Sequence, residues 1–416
     1  MSQGFAGYNI MDSAFTIKDG ANLDAFSRLR VSNPLTLFNA QFTYNLHPLL
    51  FEQITSGAGA SIAHHTTNRY AAMTFSATPT GGQCYMQSYE YLPYQPGKSQ
   101  LSFLTFNFEG GVANVLKFAG YSDGVNGVEF QLNGTTPRFA IYSGTGTGNQ
   151  FVNQSSWNLD KLDGTGASGY TLDLTKVQIL VIDLQALYAG RVRVGFDIGG
   201  TIIYAHQFLH GNSVAPPYLQ TASLPVRCGM TCTATVSTTM YFLCSTVISE
   251  GGLDDVNQFG YTFSQTSTAV SVATSPTHVL SLRPRLTFNG ITNRSRVAFI
   301  DVEIFNNGNQ PVYWQLCLGQ AITGTTTFND VNTTYSSTEY NILGTISGSP
   351  AIIIDAGYVA ASGGAKGVTN TAVNSRYPIT LNAAGAHRTL GTLSLVLTST
   401  SGTQSCFGAM KFREIR

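Results

Sequence analysis

The stretch "VEFQLNGTTPRFAIY", residues 128–142, alternates apolar and polar side chains on both sides of an Asn-Gly pair. Successive side chains of a β-strand point to opposite faces, so this alternation is typical of strands with one buried face. Asn-Gly is a favoured dipeptide of tight hairpin turns because both residues tolerate positive φ. The stretch predicts an antiparallel hairpin, with Phe130 and Leu132 opposite Phe139 and Ile141 around Asn133-Gly134.

The same pattern recurs along the chain. "RVRVGFDIGGTIIYAHQF" (191–208) predicts a second hairpin, with its valines, Phe196 and Ile198 on one face, Arg191, Arg193 and Asp197 on the other, and Gly199-Gly200 in the turn. "KVQILVIDL" (176–184) is apolar on both faces and predicts a central strand covered on both sides. "RVAFIDVEIFNNGNQPVYWQLCLG" (296–319) predicts a third hairpin, with Tyr313 and Trp314 on opposite faces.

These signals predict an all-β chain. No amphipathic helix longer than two turns is evident, and Gly, Asn, Pro and Ser punctuate the chain at short intervals, which favours antiparallel sheets. A chain of 416 residues exceeds the usual size of one domain. We expect an extended N-terminal arm over 1–45 and two β-sandwich or jelly-roll domains over 46–252 and 253–416. The first sandwich could take a concanavalin- or lectin-like form.

Composition excludes several classes of function. Charged residues make up 11% of the chain, and 22 basic side chains balance 22 acidic ones. A neutral chain lacks the excess of Lys and Arg that phosphate contacts require, so we expect no nucleic-acid partner. No secretory signal and no apolar run of about 18 residues is present, so we expect no membrane partner. A neutral surface rich in Gly and hydroxyls suits packing beside further copies of the same chain.

No pattern of catalytic or metal-binding residues stands out, and the sequence predicts neither enzyme activity nor a cofactor. Cys228, Cys232 and Cys244 lack the spacing of a zinc site, which favours buried thiols over metal ligands. Asp160 and Asp163 in "DKLDGTGASG" fit an Asx turn better than a calcium loop. A glycosidase pair of carboxylates stays open, because its two acids can lie far apart in the chain.

Tyrosines cluster near prolines in "YMQSYEYLPYQPG" (85–97). Tyrosine has an apolar face and a polar tip, so Tyr85, Tyr89 and Tyr91 could form a face for a partner protein or a glycan. The alternative is a sandwich edge at which tyrosines cap the core.

The segment "DAFSRLRVSNPLTLF" (24–38) precedes the strong strand signals. In an extended conformation Arg28 and Arg30 share one face, and Leu29 and Val31 share the other. Such a ribbon could dock onto a neighbouring subunit, or it could be an ordinary first strand.

Five stretches of the chain form a recognisable set: the segment 24–38, "YQPGKSQL" (94–101), "WNLDKLDGTGASGYTLDLTKVQILVIDL" (157–184), "GRVRVGFDIGGTIIYAHQF" (190–208) and "VISEGG" (247–252). Together they resemble a family of virion proteins encoded by tailed bacteriophages, with related sequences in some large DNA viruses. The resemblance covers about 24–252 and is weak beyond 253. It departs from the family at "QALYAGRVR" (185–193), where a bulkier "EWLGVGRVR"-like turn is expected.

The resemblance implies a structural component of a virion, made in the host cytoplasm, and implies no catalytic residues. We expect head decoration, a head fibre, or a neck or tail appendage. Its partners would be copies of itself, with a homo-trimer as first choice, and capsid, portal-neck or tail subunits. The residues expected to dock are Arg28, Leu29, Arg30, Val31, Leu35, Leu37 and Phe38. A receptor- or glycan-binding tail fibre or adhesin, recognising host surface glycan, is the alternative, and a glycan hydrolase is a third.

Overall fold

The computed structural model describes residues 20–252, 258–264, 268–361, 367–369 and 377–416. Within these ranges the chain is all-β, as predicted, and its helical content is limited to 3₁₀ turns at 154–156 and 389–391. The strands pair antiparallel in sheets that form two sandwiches. In this described part of the chain, no helix has the length and apolar character needed to cross a bilayer.

The first sandwich is built from two large sheets. Its first sheet contains β1 (Pro34–Gln41), β3 (Ala60–His65), β4 (Tyr70–Thr78), β6 (Ser99–Asn107), β11 (Gln178–Leu184), β12 (Val192–Ile198), β13 (Thr201–Phe208) and β15 (Val236–Glu250). Its second sheet contains β2 (Phe51–Ser56), β5 (Gln83–Ser88), β7 (Val115–Ser122), β8 (Gly127–Asn133), β9 (Thr136–Tyr142), β10 (Gln150–Asn153) and β14 (Val226–Cys232).

The strand order of the first sheet is β13-β12-β11-β6-β15-β4-β3, and that of the second is β10-β9-β8-β7-β14-β5-β2. The long strand β15 has three neighbours. On one edge its first half pairs with β4 and its second half pairs with β1, and on the opposite edge its second half pairs with β6. β11 lies between β6 and β12, the central place predicted for 176–184.

Two of the three predicted hairpins form. In β8–β9 Phe130 pairs with Phe139, whereas Ile141 pairs with Val128, and the turn lies one residue later than expected, between Asn133 and Thr136. In β12–β13 the turn is formed by Gly199 and Gly200, with φ of 64° and 83°. Positive φ at two successive positions is the reason for glycine there.

Aromatic side chains join the two sheets of the first sandwich. The ring of Phe130 on β8 meets that of Phe196 on β12 at 5.0 Å and 89°, and the ring of Phe139 lies 4.6 Å from that of Trp157 at a tilt of 34°. Nζ of the buried Lys117 on β7 donates to the carbonyl of Thr239 on β15 at 3.0 Å. Burial lowers the pKa of Lys117 to about 8. The core is therefore mainly aromatic and aliphatic, with one lysine linking the sheets.

The second sandwich has its own core, separate from the first. One sheet contains β16 (Gln258–Ser264), β17 (Val270–Val272), β21 (Arg296–Asn306), β28 (Gly367–Thr369) and β30 (Gln404–Ile415). The facing sheet contains β18 (Thr277–Pro284), β22 (Val312–Leu318), β24 (Asn329–Asp330), β25 (Thr338–Asn341), β27 (Ile352–Val359) and β29 (Leu393–Ser399). Two small ribbons complete it, formed by β19 (Thr287–Phe288) with β20 (Ile291–Thr292) and β23 (Ala321–Gly324) with β26 (Gly344–Ser347).

The third predicted hairpin is wrong. β21 pairs with β28 and β30, whereas β22 pairs with β27 and β29 in the facing sheet. The connection between them crosses from one sheet to the other, and Asn307 N donates to the carbonyl of Ser405 at 2.8 Å on the way. Alternation identified both strands and placed Trp314 in the core, opposite the half-buried Tyr313. It does not identify the partner of a strand.

Acid is expected to destabilise the protein through three buried or half-buried histidines. Burial lowers the pKa of His206, His278 and His387 from 6.5 to about 4. Between these two pH values the unfolded chain binds protons that the folded chain does not, so stability falls as pH falls from 6.5 towards 4. His278 shares a buried chain of hydrogen bonds, with its Nε2 2.8 Å from Ser281 Oγ, which lies 2.7 Å from Ser394 Oγ.

Urea midpoints measured for the wild type and for His278→Phe between pH 7 and pH 4.5 test this expectation. The wild-type midpoint should fall more steeply with acid than that of the variant. Parallel profiles would contradict the assignment of the effect to His278.

Candidate functional site

A buried carboxylate, Asp183, lies at the centre of an ionic cluster on the outer face of the first sheet. Asp183 is at the end of β11 and is 0% exposed. Its Oδ2 accepts from Arg30 and Arg193 at 2.6 Å each and from the Tyr204 hydroxyl at 2.8 Å. Its Oδ1 accepts from Ser99 Oγ at 2.9 Å. Both oxygens are thereby hydrogen-bonded, as a buried carboxylate requires.

The cluster fastens the N-terminal segment to the sheet. Arg30 also forms an ion pair with Glu250 at the end of β15, and its Nε donates to the carbonyl of Leu23 at 3.1 Å. Arg193 donates to the same carbonyl at 2.5 Å and to that of Gly20 at 3.3 Å. Two arginines thus balance two carboxylates while holding residues 20–30 in place.

Burial sets the protonation states in this ionic cluster. Burial, and then the charge of Asp183, raises the pKa of Tyr204, so its hydroxyl stays a donor at ordinary pH. Burial raises the pKa of Glu250, against the opposing charge of Arg30. For Arg30, burial acts to lower the pKa, but Asp183, Tyr204 and Glu250 outweigh it and the net pKa is raised. Arg30 therefore remains charged at neutral pH.

The structure places the predicted docking residues in three different environments. Arg28 forms an ion pair with Asp24 at 2.7 Å and donates to the carbonyl of Gly97 at 3.0 Å. Phe38 is buried in the first core, and Leu37 packs against that core. Leu29, Val31 and Leu35 are exposed, by 49%, 84% and 40%.

The boundary of the N-terminal arm at residue 45 is therefore corrected. Residues 34–41 form β1 inside the first sheet, because Phe38 and Ala40 complete its core and the strand pairs with the second half of β15. Within its own chain Arg30 contacts Asp183, Tyr204 and Glu250. Docking through the exposed Leu29, Val31 and Leu35 stays a prediction, while residues 1–19 lie outside the described residues.

Each of the five stretches that carry the family resemblance contributes to this ionic cluster. Arg30, Ser99, Asp183, Arg193 and Glu250 come one from each stretch. The sequence reasoning missed this convergence because the residues are far apart in the chain. One signal was present: Asp183 is the single charge within the apolar strand "QILVIDL", where an unpaired carboxylate would be costly.

An arginine covers one face of each predicted tyrosine. The guanidinium of Arg227 lies 4.4 Å from the ring centre of Tyr85. Two others come from the second sandwich: Arg388 lies 3.3 Å from the ring centre of Tyr89, and Arg294 lies 4.6 Å from that of Tyr91. Tyr89 and Tyr91 therefore help to join the sandwiches, and the open tyrosine face expected from the sequence is not formed by them.

Polar contacts reinforce this seam between the sandwiches. Arg296 forms an ion pair with Glu90 at 3.1 Å, and the Ala383 amide donates to Glu52 at 2.7 Å. Beside these contacts the seam opens into a cavity of about 410 Å³. Its lining includes Tyr91, Tyr94 and Tyr188 from the first sandwich and Phe288, Arg294 and Arg416 from the second.

The cysteines and aspartates weighed as metal ligands have other roles. Cys228 and Cys232 are buried, and burial raises the pKa of Cys228 well above its usual value. Asp160 accepts from the amides of Leu162 at 2.9 Å and Ser168 at 2.7 Å, as expected of a turn. Across the described ranges, no three His, Cys, Asp or Glu side chains converge as metal ligands would.

No protein-family model and no curated protein matches the chain. Among solved structures, a winged bean acidic lectin complexed with methyl-α-D-galactose is 11% identical, with a TM-score of 0.34 over 52% of this chain and 98% of that one. A β-glucanase of Bacillus licheniformis is 13% identical, with a TM-score of 0.31 over 50% and 96%. A carbohydrate esterase of the Shiga toxin-encoding bacteriophage phi24B is 12% identical, with a TM-score of 0.32 over 52% and 99%. Similarity this low says nothing about what the chain binds or catalyses.

Proposed function

We propose that this chain is a structural protein of a bacteriophage-like virion and has no enzymatic role. The observation that carries the proposal is the convergence of the five family-like stretches on the Asp183 ionic cluster. Their charged side chains bind one another and the N-terminal segment. Side chains that bind one another in this way stabilise a scaffold.

Assembly would use the apolar side chains that the N-terminal segment leaves exposed. Leu29, Val31 and Leu35 lie beside the ionic cluster on a segment that is fixed to the sheet. A rigid apolar strip loses little conformational entropy on binding, which favours docking. The partners would be further copies, as a trimer, and capsid, portal-neck or tail subunits of the same particle.

A charge in this strip is expected to abolish incorporation into particles. Val31→Lys would bury an ammonium group in the contact, which has a high desolvation cost, so its copy number in purified virions should fall at least tenfold. Mass spectrometry of gradient-purified particles measures this quantity, and light scattering of the free protein reports the oligomer.

Val125→Lys is the matched control, since Val125 is an exposed valine elsewhere on the first sandwich. A wild-type copy number similar to that of the capsid protein indicates head decoration, and one similar to that of portal or tail proteins indicates a neck or tail position. Purified particles without the wild-type chain would refute the proposed function.

A further inference from the structure

The cavity between the sandwiches has the size and lining of a ligand site. Its volume of about 410 Å³ falls within the range of about 300–1,000 Å³ usual for small-molecule sites. Both sandwiches contribute walls, and their relative position is held by the Arg296–Glu90 ion pair and by Arg388 over Tyr89. The shape of the cavity therefore exists before any ligand enters.

The walls combine aromatic faces with hydroxyl groups. Tyr94, Tyr188 and Phe288 supply rings, while Thr221 and Ser223 supply hydroxyls. Ser223 Oγ accepts from the Tyr94 amide at 3.2 Å, so its own proton can be donated to a ligand. A saccharide ring has apolar C–H faces and a rim of hydroxyls, and this combination of walls matches both.

The cavity also has a cation without a carboxylate partner. Arg416 forms an ion pair with Glu414. Arg294 donates to the carbonyls of Asn382 at 2.7 Å and Ala383 at 2.9 Å, and no carboxylate of the described residues lies within ion-pair distance of it. A guanidinium has five N–H donors, so Arg294 has further N–H groups for an anion. The carboxylate of a ligand could accept hydrogen bonds from these N–H groups of Arg294.

Tyr188, which lines the cavity, lies in a strained turn. Ala186, Leu187 and Tyr188 have φ of 48°, 45° and 59°, a run of left-handed residues that is unfavourable for L-amino acids. Two hydrogen bonds hold the turn, from the Gly190 amide to Ala186 O at 2.6 Å and from the Tyr218 amide to Tyr188 O at 2.9 Å. Backbone strain of this kind is found most often at active and binding sites, where the strained residue contributes to function.

We propose that the cavity between the sandwiches binds an acidic saccharide, with the sugar carboxylate on Arg294 and the ring against Tyr94, Tyr188 and Phe288. The inference is independent of the virion assignment, because it concerns the isolated chain. The turn that holds Tyr188 lies in "QALYAGRVR" (185–193), the place where the sequence departs from its family-like pattern. The sequence difference at 185–193 would then be what places Tyr188 in this site.

Isothermal titration of the full chain with 3′-sialyllactose and trigalacturonic acid tests the proposal, with lactose and maltotriose as their neutral counterparts. At least one acidic saccharide should bind tenfold or more tightly than its neutral counterpart. Arg294→Gln should remove this preference, and added salt should reduce it. Equal binding of acidic and neutral sugars, binding of neither, or a preference that survives Arg294→Gln would overturn the proposal.

Tyr188→Gly separates binding from folding. Glycine adopts positive φ without strain, so the thermal midpoint should not fall, while saccharide affinity should drop at least tenfold. Tyr170→Ala removes an exposed tyrosine elsewhere on the first sandwich and should leave both quantities unchanged. Unchanged affinity in Tyr188→Gly would exclude the assigned role of Tyr188.

Discussion

Asp183→Ala is expected to lower the free energy of unfolding of the first sandwich by about 3–5 kcal/mol, the usual cost of breaking a buried ion pair. The substitution removes the Asp183 carboxylate from the buried guanidinium of Arg193, and it breaks one of the two ion pairs of Arg30, which keeps Glu250. It also removes the acceptor of the Tyr204 hydroxyl. Urea unfolding, followed by a probe specific to the first sandwich, measures the change.

The matched control is Asp163→Ala, which removes an aspartate whose carboxylate caps an exposed turn. Its effect on the urea midpoint should be far smaller. In a double-mutant cycle, Arg30→Met should cost much less in the Asp183→Ala background than in the wild type, because the shared interaction is already lost. Additive effects, or an Asp183→Ala midpoint equal to that of the control, would contradict the central place of Asp183.

Strands were predictable from the sequence where one face is buried and the turn has a residue signal. β12–β13 met both conditions, since Val192, Val194 and Phe196 on its inward face are buried and Gly199-Gly200 forms its turn. The third hairpin met both conditions as well, because residues 307–311 include turn residues, yet it does not form. Such residues also suit a crossing between sheets, and the pairing of a strand depends on contacts far along the chain.

The candidate sites were less predictable, for two physical reasons. The Asp183 cluster forms from five distant stretches, and the only local trace of it is a charge at an outward position of an apolar strand. The cavity depends on how two sandwiches pack, which strand periodicity does not encode. The turn at 186–188 gives no glycine signal at all, because its three positive φ values belong to Ala, Leu and Tyr.

The ionic cluster and β1 explain why the N-terminal segment was ambiguous. Its two arginines, predicted to share one face of an extended ribbon, have different partners in the same chain: Arg30 meets Asp183 and Glu250, whereas Arg28 pairs with Asp24. Its apolar residues divide into a buried group that includes Phe38 and an exposed group that includes Val31. One segment therefore combines a core strand with a strip available for docking, and single substitutions can separate the two.

Phe38→Ala is expected to destabilise the first sandwich by about 3–5 kcal/mol, the range for removing a buried phenylalanine ring. Phe38 is buried and its ring meets that of Phe51 edge-on at 5.6 Å, so truncation leaves a cavity where β1 closes the core. For a domain of this size the thermal midpoint should fall by roughly ten degrees. Val31→Ala, on the exposed side, should leave the midpoint unchanged, and differential scanning calorimetry compares the two variants.

If Phe38→Ala melts like the wild type, β1 is not part of the core, and the N-terminal arm predicted from the sequence would be correct as far as residue 45. If Val31→Ala lowers the midpoint as much as Phe38→Ala, the exposed strip belongs to the fold and is not available to a partner.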